Sequence, residues 1–374
     1  MRTPLAVFMR LAAGLLLAAV SATAQDPATA LKSSYENARR VLEAAIEAHG
    51  GQAAIDAVEN ISFNREGTLT PRQQMESAQP PYRAGRQKDR LVLDVKGNRL
   101  VGDTEGSVAG FDFKNRTIVS GGEGYNIDFI ARTFTKLPQT TLSGPPVGQF
   151  YRRLPHEILR NAQQRNLTLR WLGEGTFEGR KQNVIAYAHT DNSALALYFD
   201  AQTNLLSKYE LLFPDPLTGD TSAEIIFSDY QAVGGLKVPG KWTQLVAGEV
   251  NTEFRYSDFV LNAKLDDSLF QKPEGFEEAP PFPAGRPIKT AKLAEDVYEI
   301  QDVGGGGYSV LAVGFNDYIL AVEAPLNTGA AQAAISKIKE LIPNKPIRYV
   351  ALTHHHGDHS GGLRAFIAEG ATVV

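Results

Sequence analysis

Thr353-His354-His355-His356-Gly357-Asp358-His359-Ser360-Gly361-Gly362 places four of the chain's seven histidines, and an aspartate, within six residues. Side chains leaving a strand alternate between its faces, so His354 and His356 point one way and His355 points another. Gly357 lets the loop turn back before Asp358 and His359. Imidazole and carboxylate together suit zinc, and iron or manganese less specifically. The chain has no cysteine, so any metal site must use His, Asp and Glu. A His-rich tract on a solvated loop, binding metal weakly or not at all, is the plainer reading of such a run. The setting speaks against it. Ile347 to Leu352 reads as a buried strand leading straight into the histidines, and Gly362 opens a helix to about Ala368. The carboxyl end of a strand, ahead of a helix, is where α/β sheets place their sites.

Outward from this loop the grammar stays α/β. Val297 to Ile300 and Ser309 to Phe315 read as strands around Gly304 to Gly307, and Tyr318 to Val322 as a third strand. Thr328 to Ile342 has helical spacing and stops at Pro343, and Ala371 to Val374 begins another strand. The glycine loop lacks Gly-Lys-Ser/Thr and reads as a flexible turn rather than a phosphate loop.

Thr353 to Gly362, with the lead-in from Val297 to Leu352, resembles the His-x-His-x-Asp-His signature of the metallo-β-lactamase superfamily, which includes glyoxalase II, lactonases and class B β-lactamases. The resemblance implies an incomplete αββα domain over 288–374. It implies His354 and His356 on a first metal and Asp358 and His359 on a second, with two zinc ions in a complete enzyme and iron or manganese as alternatives. Asp358 would orient a metal-bound nucleophile or take a proton from it. Some members oxidise sulfur compounds with a single iron, so hydrolysis is implied without being forced. Glu323 stands where many relatives carry an Asp that supports the metal loop; a strand-end carboxylate facing solvent is the other reading. The family's three further ligands lie well downstream, whereas this chain has fifteen residues and no histidine after His359. The chain is therefore expected to be the N-terminal portion of a longer hydrolase, inactive by itself.

Ahead of this region, Glu274 to Pro287 is rich in Pro and charge and reads as a linker. From about Ile61 to Phe270 the pattern is of strands: Leu91, Leu93 and Val95 alternate with polar neighbours, and Ala194 to Phe199, Leu205 to Phe213 and Phe254 to Phe259 follow. One helical interruption, about Tyr151 to Arg165, breaks the series. The fold class expected is α+β, with a large curved antiparallel sheet over 25–273 ahead of the α/β region. Tyr198-Phe199-Asp200 with Thr203 to Leu206, Phe227 to Tyr230, Gly234 to Pro239, Asn262 and Asp267 to Phe270 resemble the periplasmic lipoprotein-carrier and outer-membrane lipoprotein-sorting fold. That resemblance implies a lipophilic ligand in the concave face; the same face as core or docking surface is the alternative.

At the start, Ser33 or Ser34 is expected to cap a helix with Tyr35, Ala38, Val41, Leu42, Ala45 and Ile46 on one face, ending at His49-Gly50-Gly51. His49, His156 and His189 read as structural. Arg2, Arg10, the apolar run Leu11 to Val20 and Ala22-Thr23-Ala24 read as a signal peptide over 1–24, too short to span a bilayer, with an uncleaved anchor as the alternative. A periplasmic or secreted protein without a stable membrane anchor follows. The net charge of −4, with no Lys/Arg cluster, excludes an evident nucleic-acid surface. The function expected is an exported hydrolase acting on an ester, thioester, lactam or similar bond of a small molecule. The alternative is a periplasmic binding protein carrying an apolar ligand in its sheet.

Overall fold

A computed structural model describes residues 26–137, 150–190, 192–215, 219–279 and 286–374. The signal peptide expected over 1–24 lies outside the described residues, as do 280–285 of the expected linker.

Helix α1 (Pro27–Ala48) begins earlier than Ser33. Asp26 accepts from Thr29 N at 3.2 Å and Pro27 occupies the first turn, where a missing N–H costs nothing. Ser34 instead accepts from Trp171 N at 2.8 Å, so it ties the helix to the sheet rather than capping it. The short helix α2 (Gln52–Asp56) follows, and α3 (Pro155–Gln164) is the interruption expected in the strand series.

Alternating burial then builds the strands. They are β1 (Asn60–Leu69), β2 (Gly85–Asp94), β3 (Arg99–Val108), β4 (Phe111–Ser120), β5 (Glu123–Asp128), β6 (Thr133–Lys136), β7 (Arg170–Phe177), β8 (Arg180–Ala188), β9 (Ala194–Asp200), β10 (Leu206–Asp215) and β11 (Gly219–Ser228). A small hairpin, β12 (Gln231–Val233) and β13 (Leu236–Val238), precedes β14 (Lys241–Val246), β15 (Glu249–Leu261) and the two-residue β16 (Glu277–Glu278). Among the described residues, β1 to β11 and β14 to β16 form one large curved sheet, its two halves joined in the middle where β1 pairs with β15. Its pairings are antiparallel except at one edge. There, β16 lies parallel to β6, so the first residues of the expected linker extend this sheet, with Phe276 packed edge-on against Phe129 at 5.3 Å.

One face of the sheet is filled. Ala38, Leu42, Ala45 and Ile46 of α1, with Leu154, Ile158 and Leu159 at α3, pack against Phe63, Leu91, Leu197 and Phe199 from the strands. That apolar face is therefore core. On the opposite face, Arg255, Glu66, Lys88, Glu105 and Lys114 stand in one cross-strand row of alternating charge. Charges directly opposite one another across strands stabilise when their signs differ. The groove of about 840 Å³ above this row is accordingly lined by charges of both signs.

His49 and His156 are fully buried in this core. His49 sits at the end of α1 with Nδ1 2.8 Å from Ala45 O, and burial lowers its pKa to about 4 from an ordinary 6.5. Burial, with Arg160 and His49 nearby, lowers His156 to about 3. In the unfolded chain both rings protonate near 6.5, so the unfolded state binds the extra protons as pH falls. Stability present above that pH is therefore lost on acidification, down to about pH 4 for His49 and about pH 3 for His156, at roughly 1.4 kcal/mol per pH unit per ring. Urea midpoints between pH 7 and 4.5 should fall steeply, and less steeply in His156→Leu. Equal slopes in the two proteins would contradict this.

The C-terminal region forms a second sheet in the order β17 (Lys289–Ala294), β18 (Val297–Val303), β19 (Tyr308–Gly314), β20 (Ile319–Val322), β21 (Ile347–Ala351) and β22 (Thr372–Val373). The first three pairings are antiparallel and the last two parallel. Helix α4 (Thr328–Leu341), capped by Asn327 accepting from Ala330 N at 3.1 Å, connects β20 to β21. Its buried Ala330, Ala331, Ala334, Ile335 and Ile338 follow helical spacing and join Val310, Ala321, Val350 and Phe366 in one core. A single helical turn, α5 (Gly357–Ser360), and α6 (Leu363–Ala368) lie between β21 and β22. Among the described residues no helix is long and apolar enough to cross a membrane.

Candidate metal centre

Parallel pairing of β20 with β21 sets Val322 beside Ala351, so Glu323 and Thr353 leave the sheet at the same end. Glu323 takes φ +81°, a left-handed conformation that non-glycine residues adopt at a cost of about 1–3 kcal/mol. Its N–H donates to Ala351 O at 2.8 Å, and its carboxylate turns back over the loop. Oε1 accepts from Thr353 N at 2.7 Å and Oε2 accepts from His359 Nδ1 at 2.5 Å. Glu323 is only 8% exposed, which decides between the two readings of this side chain: it braces the loop.

The loop is stitched to the segment after Glu323 by backbone bonds. Ala324 N donates to His359 O, Leu326 N to Asp358 O and Gly362 N to Ala324 O. The approach is close enough to require both glycines. A Cβ on Gly361 would lie 2.0 Å from Leu326 O, and one on Gly362 would lie 2.5 Å from Ala331 Cβ.

Three imidazoles are gathered. The His354 ring lies 4.5 Å from His356 and 4.0 Å from His359, while His355 borders the cleft described below. Each of the three rings commits one nitrogen to a protein partner. His359 Nδ1 donates to Glu323, His356 Nε2 donates to Met75 O at 3.1 Å, and His354 Nδ1 lies 3.0 Å from Thr353 Oγ1. Because a carboxylate and a carbonyl only accept, His359 must carry its proton on Nδ1 and His356 on Nε2. The lone pairs left are His359 Nε2 and His356 Nδ1. Desolvation, with His359 and His356 alongside, lowers the pKa of His354 below its ordinary value.

Asp358 sits beside them, with Oδ2 3.5 Å from His359 Nε2. Its Oδ1 accepts from Gln74 Nε2 at 2.9 Å and its Oδ2 from Tyr308 OH at 3.0 Å. Burial favours its neutral form, yet these two bonds and the neighbouring His359 together hold its pKa below the ordinary value. Burial, then the bond to Asp358, raises the Tyr308 pKa and keeps the phenol a donor. The Tyr308 ring also meets His359 edge-on at 5.6 Å.

Among the described residues no three His, Asp or Glu donors converge on a single point at metal-ligand spacing. The donor set nonetheless fits zinc. It is His and Asp without thiolate, and the outer nitrogens of His356 and His359 are fixed by acceptors, as ligating imidazoles require.

The expected ligands His354, His356, Asp358 and His359 are thus neighbours, whereas His156 and His189 are buried elsewhere in the large sheet's region. Gln74, Met75 and Tyr308 touch the site without any local signal in the sequence.

The profile of the metallo-beta-lactamase superfamily matches residues 325–374. No curated protein matches the chain. Among solved structures the chain is similar to a LolA superfamily protein from Nitrosomonas europaea, at 16% identity, covering 63% of this chain and 97% of that one with a TM-score of 0.40. It is also similar to a DUF1329 family protein from Desulfovibrio piger, at 12% identity, covering 65% and 97% with a TM-score of 0.41.

Proposed function

We propose that this protein is an exported metal-dependent hydrolase of the metallo-β-lactamase superfamily, acting on an ester, thioester, lactam or similar bond of a small molecule. In this reading the second sheet and its helices belong to an αββα arrangement. His354 and His356 hold one zinc, and Asp358 and His359 hold a second, with iron or manganese as alternatives. The observation that carries the proposal is the division of labour on His356 and His359. Each ring donates through one nitrogen to an acceptor and keeps the other as a lone pair, the arrangement that orients a ligand and raises its basicity. The superfamily match over 325–374 supports it.

Bound metal would supply a water acidified to a pKa near 7 and a Lewis acid for the substrate's carbonyl oxygen. The chain's own residues do the rest. Asp358, held ionised, can orient the attacking water and accept its proton. Tyr308 fixes the carboxylate through Oδ2, and Glu323 fixes His359. The cleft beside the loop, about 780 Å³, is large enough to seat a small molecule.

Hydrolysis of chromogenic ester, thioester and lactam substrates by a protein that carries these residues together with the superfamily's further ligands tests this. Activity should be lost on treatment with a chelator and return on adding zinc. Hydrolysis that survives complete removal of metal would overturn the proposal.

A further inference from the structure

Two of the loop's contacts come from the large sheet rather than from the second one. β1 and β2 are hairpin neighbours in register, Leu69 opposite Gly85, yet fifteen residues, 70–84, connect them. Such a connection needs only two to five residues, and long excursions of this kind in compact domains are commonly functional. This one is fastened in place. Arg72 Nη2 donates to Val246 O at 2.5 Å, Gln73 donates to Asp215, and Met75 is buried. Its turn Arg72–Gln74 then lies against the histidine loop, where Gln74 Nε2 donates to Asp358 Oδ1 and Met75 O accepts from His356 Nε2. A second tie, Arg364 to Asp220 at 2.8 Å, holds the same two regions together.

We propose that this connection is a working part of the metal centre: Gln74 is a positioning residue for Asp358, the Met75 carbonyl sets the tautomer of His356, and the cleft between connection and loop is the substrate site. The chemistry of the contacts suits that role. A primary amide donates to one carboxylate oxygen without bringing positive charge, so it orients Asp358 and does not repel a cation held there. A backbone carbonyl accepts only, so His356 keeps Nδ1 as its lone pair whatever the side chain at position 75. The cleft has walls from both regions, with Arg72, Gln74 and Tyr82 on one side and His355, Gly357 and Asp358 on the other. A substrate attacked at the loop therefore touches the large sheet's region, which makes that region a determinant of specificity.

The inference rests on the metal reading above, and one experiment separates the two. Zinc affinity and the visible spectrum of the cobalt(II) form are measured for the intact wild-type protein, for Gln74→Leu and for Ser77→Ala. Gln74 is exposed, so leucine, which cannot donate, leaves the fold unchanged, and the thermal midpoint of the metal-free protein checks this. Gln74→Leu should bind zinc about 10- to 100-fold more weakly and shift the cobalt d–d bands. Ser77→Ala, which alters the same connection away from Asp358, should match wild type. Wild-type affinity and spectrum in Gln74→Leu would overturn this inference and leave the metal reading standing. A wild-type protein that takes up neither metal would overturn both.

Discussion

Replacing His354 and His356 together with alanine should reduce bound zinc from a stoichiometric amount to background, with no loss of the fold. Both rings lie at the surface end of β21, one exposed and one half-buried, and neither belongs to the core that joins β18 to β21 with α4 and α6. Their removal takes away both donors assigned to the first zinc and leaves only Asp358 and His359, too few ligands for the affinity a catalytic zinc needs. A ligand that binds only the folded state stabilises it by about 2.7 kcal/mol at a hundredfold excess over Kd. Zinc should therefore raise the thermal midpoint of the wild type and leave that of the double variant unmoved. Elemental analysis and thermal scans with and without zinc check both halves. A double variant that keeps its metal would show that the histidines are a solvated tract.

Asp89→Ala should destabilise the large sheet by about 3–5 kcal/mol. Arg65 and Asp89 are cross-strand partners on β1 and β2, with side chains only 3% and 1% exposed. Arg65 Nε donates to Asp89, whose other oxygen accepts from Gln87 at 2.9 Å, while the guanidinium stacks 4.0 Å over Phe254. Arg153 lies half-buried nearby; desolvation, then the Arg65 charge, lowers its pKa to about 9. Removing the carboxylate leaves the buried Arg65 without its counter-charge, with the like charge of Arg153 nearby. Replacing the pair by apolar residues, Arg65→Met with Asp89→Leu, should recover most of the loss, because a buried ion pair stabilises little relative to packed hydrocarbon. A double-mutant cycle on denaturant midpoints measures the coupling. A loss below about 1 kcal/mol in Asp89→Ala would mean that Arg65 escapes to water.

What could be read from the chain follows the range of the interactions. The histidine loop is legible because its three gathered imidazoles and Asp358 lie within six residues and its glycines are demanded by close backbone contacts. Glu323 could be singled out because it ends a strand, but whether it faced the loop or solvent needed the pairing of β20 with β21. Gln74 and Met75 were invisible. They meet Asp358 and His356 across 284 and 281 residues, and no local period encodes such a contact. The large sheet shows itself through alternation, while the central pairing that joins its two halves does not, since Ile61 and Leu261 pair across the length of the region. The start of α1 was missed for a local reason. Its first turns are mostly exposed and carry no apolar stripe, so the signal lay in Asp26-Pro27 rather than in periodicity.

X-ray absorption at the zinc edge, on the wild type and the His354→Ala/His356→Ala protein, tests the metal centre most directly. The account predicts a shell of nitrogen and oxygen at about 2.0–2.1 Å with outer scattering from imidazole, lost in the variant. A shell of oxygen alone, or an imidazole signal unchanged by the substitutions, would contradict it.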